Sequence, residues 1–301
     1  MSIDLSGRVA IVTGAGGGLG RAHALLLARR GAKVLVNDLG GARDGSGGST
    51  TMAEQVVDEI RAAGGEAIAN GASVTDYAQV EAMVEQAVAA WGRVDILVNN
   101  AGILRDRTFA KQDLADFRTV IDVHLMGAAN CTKAVWGIMT AQNFGRIMMT
   151  TSSSGLYGNF GQSQYGAAKL GLVGMMKTLA QEGRKYDIRV NALAPTAATR
   201  MTADIMSEEQ LAALDPAGVS PAMLALVCDA APTSVVLCAG AGHCEAAHIT
   251  LTRGIHAGTG DDAPERVLAG LGQILDREGE MVPETGLEQS RYELSRVLAD
   301  A

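Results

Sequence analysis

Residues 8–38 read RVAIVTGAGGGLGRAHALLLARRGAKVLVND. Arg8 to Val12 has the short apolar run of a buried strand. Thr13-Gly14-Ala15-Gly16-Gly17-Gly18-Leu19-Gly20 is a glycine turn, RAHALLLARRG is helical and closes at Gly31, and Lys33 to Asn37 is a second strand ended by Asp38. Strand, glycine turn and helix in that order are what a dinucleotide pyrophosphate requires. Glycines let the backbone come close, and the helix amino end offers free N–H groups and a positive dipole to phosphate. Gly14, Gly18, Leu19 and Gly20 are the candidate contacts.

Asp38 follows the glycines by about 20 residues, where an acid meets the adenosine ribose. Its carboxylate accepts from the ribose hydroxyls and repels a 2′-phosphate, and no cation stands in the turn, so NAD is expected over NADP. Arg43, in the Gly/Ser-rich loop Gly40 to Thr50, is the one cation there that could swing towards a phosphate.

Working outward, the alternation continues. Met52 to Ala63 is helical, Glu66 to Asn70 a strand, and Asp76 to Trp91 a helix with Val80, Met83, Val84, Ala87, Val88 and Trp91 on one face. Val94 to Val98 is an all-apolar strand of the buried parallel kind, running into Asn99-Asn100-Ala101-Gly102. Gln112 to Gln142 holds one or two helices. A strand end at Arg146 to Thr150, a helix to about Gly183 and a strand at Ile188 to Ala194, stopping at Pro195, complete the pattern. The expected class is α/β, a single doubly wound parallel sheet of Rossmann type.

The expected organisation is a nucleotide-binding catalytic domain over 1–260 and a charged helical tail over 261–301. Within the first, segment 196–219 carries Met201, Ile205, Met206, Leu211 and Leu214 among polar residues. That pattern suits either a lid over an apolar substrate or an amphipathic surface helix. Ser220-Pro221 opens another helix, and Val235 to Cys238 is a last strand.

At 48% hydrophobic but only 4% aromatic, the core must be built from aliphatic side chains. A net charge of −8 argues against a nucleic-acid groove. The amino end lacks a signal-peptide layout and no apolar run reaches the roughly 18 residues of a membrane span, so a cytoplasmic protein is expected. Cys131, Cys228, Cys238 and Cys244 lack metal-ligand spacing, and Cys238, His243, Cys244 and His248 read as core thiols and loop imidazoles, with no metal.

Chemistry is concentrated in TSSSGLYGNFGQSQYGAAK, Thr151 to Lys169. Tyr165 and Lys169, four apart, share one helix face, and Ser152 lies just past a strand end. A hydroxyl, a phenol and an amine at a sheet's carboxyl edge suit hydride transfer between an alcohol carbon and a nicotinamide. Free tyrosine, with a pKa near ~10, is a weak base at neutral pH, and a neighbouring ammonium is expected to lower it. Ser152 would orient the reacting oxygen.

Together, Thr13-Gly14-xxx-Gly18-x-Gly20, Asn99-Asn100-Ala101-Gly102, Ser152 and Tyr165-xxx-Lys169 resemble the short-chain dehydrogenase/reductase family from about Leu5 to Pro221. Val36 to Gly41, Asn99 to Arg107, Gly155 to Gln162 and Glu182-Gly183-Arg184 resemble its (3R)-hydroxyacyl-CoA dehydrogenase branch, found as one part of peroxisomal multifunctional enzymes. The resemblance implies NAD as cofactor, Tyr165 as catalytic base and Lys169 on the nicotinamide ribose. Asn100, Ala101, Gly102 and Pro195 would line the cofactor, with Ser73-Val74 beside adenine. It implies a homodimer or homotetramer built on helices within 112–142 and 160–183.

Two departures stand out. His124 occupies the place of the family's usual catalytic Asn, which holds a proton-relay water; an imidazole can hold the same water and titrate near working pH. Pro195-Thr196 replaces a common Pro-Gly. No hydratase or sterol-carrier segment accompanies these motifs, which reads as a stand-alone dehydrogenase. The expected substrate is a small apolar or acyl-CoA-like secondary alcohol, a 3-hydroxyacyl-CoA or a hydroxysteroid. A 3-oxoacyl-carrier-protein reductase, a general alcohol dehydrogenase and a non-catalytic dinucleotide sensor are the alternatives.

Overall fold

Five consecutive buried residues make β1, Val9–Thr13, a strand covered on both faces, and the same holds for most of its neighbours. In this computed structural model, which describes residues 2–41, 44–45, 47–198 and 207–299, eight strands form one sheet in the order β3-β2-β1-β4-β5-β6-β7-β8. The others are β2 Lys33–Asn37, β3 Ala67–Asn70, β4 Ile96–Asn99, β5 Gly145–Thr150, β6 Ile188–Thr196, β7 Val236–Gly240 and β8 His243–Ala247. Pairings from β3 through β7 are all parallel. The order reverses direction between β1 and β4, so the carboxyl ends of those strands open a crevice where such sheets bind ligands.

Helices α1 (Gly18–Arg29) and α2 (Thr51–Ala62) cover one face with α9 (Ser220–Val227), burying Val12, Val36, Val98 and Leu193 beneath Leu27, Ile60 and Met223. The other face carries α3 (Tyr77–Trp91), α5 (Gly127–Gln142) and α7 (Ser163–Gly183). A short α4 (Leu114–Ile121) precedes α5, and α6 (Ser153–Tyr157) precedes α7. Between α4 and α5, Asp122–Met126 forms a π-helical turn in which the Gly127 N–H reaches back five residues to the Asp122 carbonyl.

Two strand ends differ from expectation. β6 runs on through Pro195 to Thr196, paired with Ala239 and Gly240 of β7. Its pairing with β5 ends at Leu193, so the N–H that Pro195 lacks is not needed on that side. An eighth strand also follows the expected last one: Ala241 (φ 50°) and Gly242 (φ 76°) form a two-residue turn that folds β8 back along β7 as a hairpin.

At the amino end of the sheet, Arg146 is almost fully buried and donates to the carbonyls of Gly145, Asp187, Cys228 and Asp229 and to the Asp187 carboxylate. The Phe144 ring lies between the Arg8 and Arg146 guanidiniums, 3.7 and 4.1 Å from its centroid. Completely buried Asp95 accepts from the Val9 N–H and from Arg8 and Arg93.

The chain divides into two compact units, Met1–Ala246 and Ala247–Ala301. The second has an antiparallel bridge between Leu251 and Met281 and helices α10 (Ala263–Ala269), α11 (Leu271–Ile274) and α12 (Gly286–Ala299). In the segment after β6, Met201, Ile205, Met206, like Arg43 earlier, lie outside the described residues. Beyond them come α8 (Glu208–Ala213), with Leu211 and Leu214 half-buried, and a hydrogen bond from Ala198 N–H to the Leu214 carbonyl.

Candidate active site

The glycine turn is shaped by what cannot fit there. Gly14 has φ +62°, and a methyl on it would lie 2.8 Å from Ala101 Cα; one on Gly20 would strike the Gly14 carbonyl. Thr13 holds the two loops in register, its hydroxyl accepting from the N–H groups of Asn100 and Ala101, each at 3.1 Å. The Asn100 amide donates to the carbonyls of Thr13 and Gly14 at 3.0 and 2.9 Å. Gly102 sits against His124, where any Cβ would strike the imidazole.

Asp38, half-buried at the end of β2, accepts from the Gly16 and Gly40 N–H groups, each at 2.7 Å. The acid is thus fixed beside the glycine turn, and Gly16 cannot carry a side chain without striking it. Leu19 and Gly18 open α1, whose first-turn amides have no side-chain cap. A Cβ-free cradle, uncapped amides and an adjacent carboxylate fit a dinucleotide with a free ribose. Val74 is tied down by the Asn130 amide at its carbonyl, and Ser73 bonds Thr75. Pro195 lies in the end of β6.

Ser152 begins α6 as its N-cap, accepting from the Ser154 N–H at 3.2 Å. Tyr165 and Lys169 lie on the inner face of α7, with the ammonium nitrogen 5.4 Å from the phenol ring centroid. Lys169 Nζ donates to the Thr150 carbonyl at 2.5 Å, and the Thr151 hydroxyl donates to the Lys169 carbonyl, locking α7 to the end of β5. The Ser152 hydroxyl beside the phenol favours its ionisation. Burial outweighs that effect and pushes Tyr165 up to about 12. The same desolvation brings Lys169 down to about 7. The expected lowering of the phenol by its neighbour is therefore reversed here: both groups are out of water, and Nζ is directed at the Thr150 carbonyl.

His124 lies in the π-helical turn, buried, its ring edge-to-face with Tyr165 at 5.1 Å between centroids. Nε2 is 2.8 Å from the Ile103 carbonyl and 3.1 Å from the Ile103 N–H. The shorter contact assigns Nε2 the proton, which leaves Nδ1 as an unpaired buried acceptor. Burial, aided by the Lys169 charge, holds His124 well below the usual imidazole range. The expectation that it titrates near working pH is not met; it is a neutral residue.

Nδ1 is one of three unpaired buried atoms around a single small cavity. Thr150 Oγ1 and Asn99 Oδ1 are the others, and Thr13 and Lys169 also line it. The cavity has about 10 Å³ of room for a water centre, the space of one molecule with several polar partners. Thr13 and Asn99 stood in the sequence only as parts of motifs, and Thr150 was not singled out as a site residue. The available signal for these three was a polar residue closing an otherwise apolar strand.

Such a sheet, cradle and phenol–amine pair define a Rossmann-type oxidoreductase acting with a dinucleotide. The family model described as short chain dehydrogenase matches residues 8–210, and the chain belongs to that family. It is 54% identical over 222 residues, 74% of its length, to the peroxisomal multifunctional enzyme type 2 of Drosophila melanogaster, of which it spans 36%. The full-length structure of the multifunctional enzyme from that fly superposes with TM-score 0.81 at 36% identity over 99% of this chain and 50% of the other. A 7α-hydroxysteroid dehydrogenase solved with NADH and a 7-oxo bile acid superposes at 0.71, with 29% identity over 79% of this chain and 95% of that one. Among the described residues no helix is long and apolar enough to cross a membrane, and no three metal-ligating side chains are grouped.

Proposed function

We propose that this chain interconverts a secondary alcohol and a ketone with NAD(H), its substrate being the 3-hydroxyl of an acyl-CoA. The observation that carries the alcohol–ketone reaction is the placement of Ser152, Tyr165 and Lys169 at the carboxyl edge of β5, beside the loops closed by Asn100 and Asp38, and the likeness to the multifunctional enzymes supports the acyl-CoA. Gly14, Gly18, Leu19 and Gly20 would hold the pyrophosphate, Asp38 the adenosine ribose, and Ser73 and Val74 the adenine. Asn100, Ala101, Gly102 and Pro195 would flank the nicotinamide, with Lys169 on its ribose.

When bound there, NAD would supply the hydride acceptor for the alcohol carbon. Ser152 holds the alcohol oxygen and Tyr165 takes its proton. A phenol pushed up to about 12 holds its own proton at neutral pH, so it must release that proton as it receives the next. Lys169, brought to about 7, is partly neutral at that pH and can take the proton only as the substrate's arrives, since the phenol alone holds it more tightly. From Lys169 the proton leaves past the cavity, where neutral His124 accepts at Nδ1 while its Nε2 stays on Ile103. In the reverse direction the same groups deliver a proton to the new alkoxide.

A panel of 3-hydroxyacyl-CoAs, hydroxysteroids and simple alcohols, followed by nicotinamide absorbance with NAD and NADP, tests this reading. Turnover of simple alcohols alone would refute the acyl-CoA assignment. We also infer a homodimer or homotetramer through α4, α5 and α7, supported by exposed Leu114 on α4, Leu170 on α7 and Met126 in the turn just before α5. Sedimentation of the purified chain tests it. A cytoplasmic location, supported by four unpaired cysteines, is tested by fractionation.

A further inference from the structure

Two loops leave the carboxyl ends of β4 and β5, and the structure ties them together. The Arg107 N–H donates to the Gly161 carbonyl at 2.9 Å, and the Gln162 amide donates to the Asp106 carboxylate at 2.7 Å. The Gln164 amide, fully buried and adjacent to Tyr165, donates to the Arg105 carbonyl at 2.7 Å. The joined loops form a rim that starts beside the reacting phenol. Arg107 is two residues past the Gln164 contact, within about 7 Å along the chain.

This rim has unusual surface chemistry for a chain of net charge −8. Arg105-Asp106-Arg107-Thr108-Phe109-Ala110-Lys111 carries three cations and one acid. Arg105 is paired with Asp116, and Asp106 is held by Gln162. Arg107 and Lys111 are exposed and have no carboxylate partner among the described residues. Beside them Phe160 is 88% exposed and Phe109 72%. Neither ring contributes to the core, and their flat faces are available for stacking.

We infer that this rim binds the nucleotide end of a coenzyme A thioester, with Arg107 and Lys111 on its phosphates and Phe160 or Phe109 against its adenine. This rests on the acyl-CoA reading above and adds the residues that select the carrier. Charge complementarity favours this occupant: a neutral steroid offers nothing to the cations and a bile acid a single carboxylate, whereas a CoA nucleotide presents phosphates and a purine together, joined to the thioester by a flexible arm.

The test compares a 3-hydroxybutyryl-CoA with the N-acetylcysteamine thioester of the same acid, which carries no phosphate or adenine. In the doubly substituted Arg107→Gln, Lys111→Gln enzyme, kcat/KM for the CoA ester is expected to fall about tenfold or more, through KM, and to lose its salt dependence. The short thioester should be unaffected. Phe160→Ala should act in the same direction on the CoA ester alone. Equal rates for the variant and parent enzymes on the CoA ester would overturn the rim assignment and leave the acyl-CoA reading standing. No turnover of either thioester by the parent would overturn both. Equal losses on both esters together with a change of sedimentation would make the rim a contact between copies, and would also overturn the assignment.

Discussion

Lys169 Nζ donates to the Thr150 carbonyl at 2.5 Å, so the amine beside the reacting phenol is anchored to the end of a strand. The anchor fixes its position without offsetting its loss of hydration, and its pKa falls to about 7. In the unfolded chain a lysine titrates near ~10.4. Between these values the unfolded state holds a proton that the folded state lacks, so stability rises with pH by up to ~1.4 kcal/mol per unit. Below about 7 the burial penalty is complete. Lys169→Met removes this dependence, so its melting temperature relative to the parent should be highest in acid and decline from about pH 7 to 10. A difference that stays flat with pH would contradict a depressed lysine.

Tyr165→Phe keeps the ring packed edge-to-face on His124 and removes only the hydroxyl. Turnover should fall by about a hundred- to ten-thousand-fold, the range for losing a positioned acid–base group. NAD affinity, read by titration, should stay within about twofold, because the cradle and Asp38 are untouched. Near-normal kcat would remove Tyr165 from the reaction.

Asp38→Ala deletes the carboxylate beside the glycine turn. Affinity for NAD should weaken about tenfold, consistent with losing charge-assisted hydrogen bonds, while NADP binding improves. Competitive binding of the two cofactors measures the ratio. An unchanged ratio would show that the acid does not read the ribose.

Gly102→Ala places a methyl against the His124 imidazole. The ring must move off Ile103 or the loop must shift, at about 1–3 kcal/mol. Thermal stability and kcat should fall together. A variant that loses stability but retains kcat would show that the position of His124 is not needed for turnover.

Arg146→Leu affects the opposite end of the sheet. It removes the buried guanidinium from four carbonyls and from Asp187, whose carboxylate keeps Arg189, while the Asp187 and Cys228 carbonyls keep backbone donors, at about 3 kcal/mol. Denaturation should report that loss while kcat of the folded enzyme is preserved. An equal drop in kcat would show that the two ends of the sheet are coupled.

The alternation of apolar runs with amphipathic segments made the sheet and most helices legible in advance, because each buried strand and each one-sided helix leaves its own period in the sequence. The glycine turn, Asp38 and the spacing of Ser152, Tyr165 and Lys169 were also visible as local patterns. What stayed hidden depends on distant neighbours. β8 is short and exposed, with no apolar period, and only the turn at Ala241-Gly242 marks it. The pKa order of Tyr165 and Lys169 comes from burial by β5 and the helices, which spacing along α7 does not report. The cavity joins Thr13, Asn99, His124 and Thr150 from four separate segments, so no window of sequence contains it.

The five-residue turn at Asp122–Met126 means that α4 and α5 are one helix with an extra residue spliced into its winding. An α-helical residue advances about 100° around the axis, and the widened turn takes up the extra residue locally, so it sets the direction of the side chains within the turn. His124 therefore owes its aim to a count of residues as much as to its identity. An imidazole placed on a regular α-helical winding would face elsewhere, and taking one residue out of this turn would re-aim His124 while leaving α5 in register.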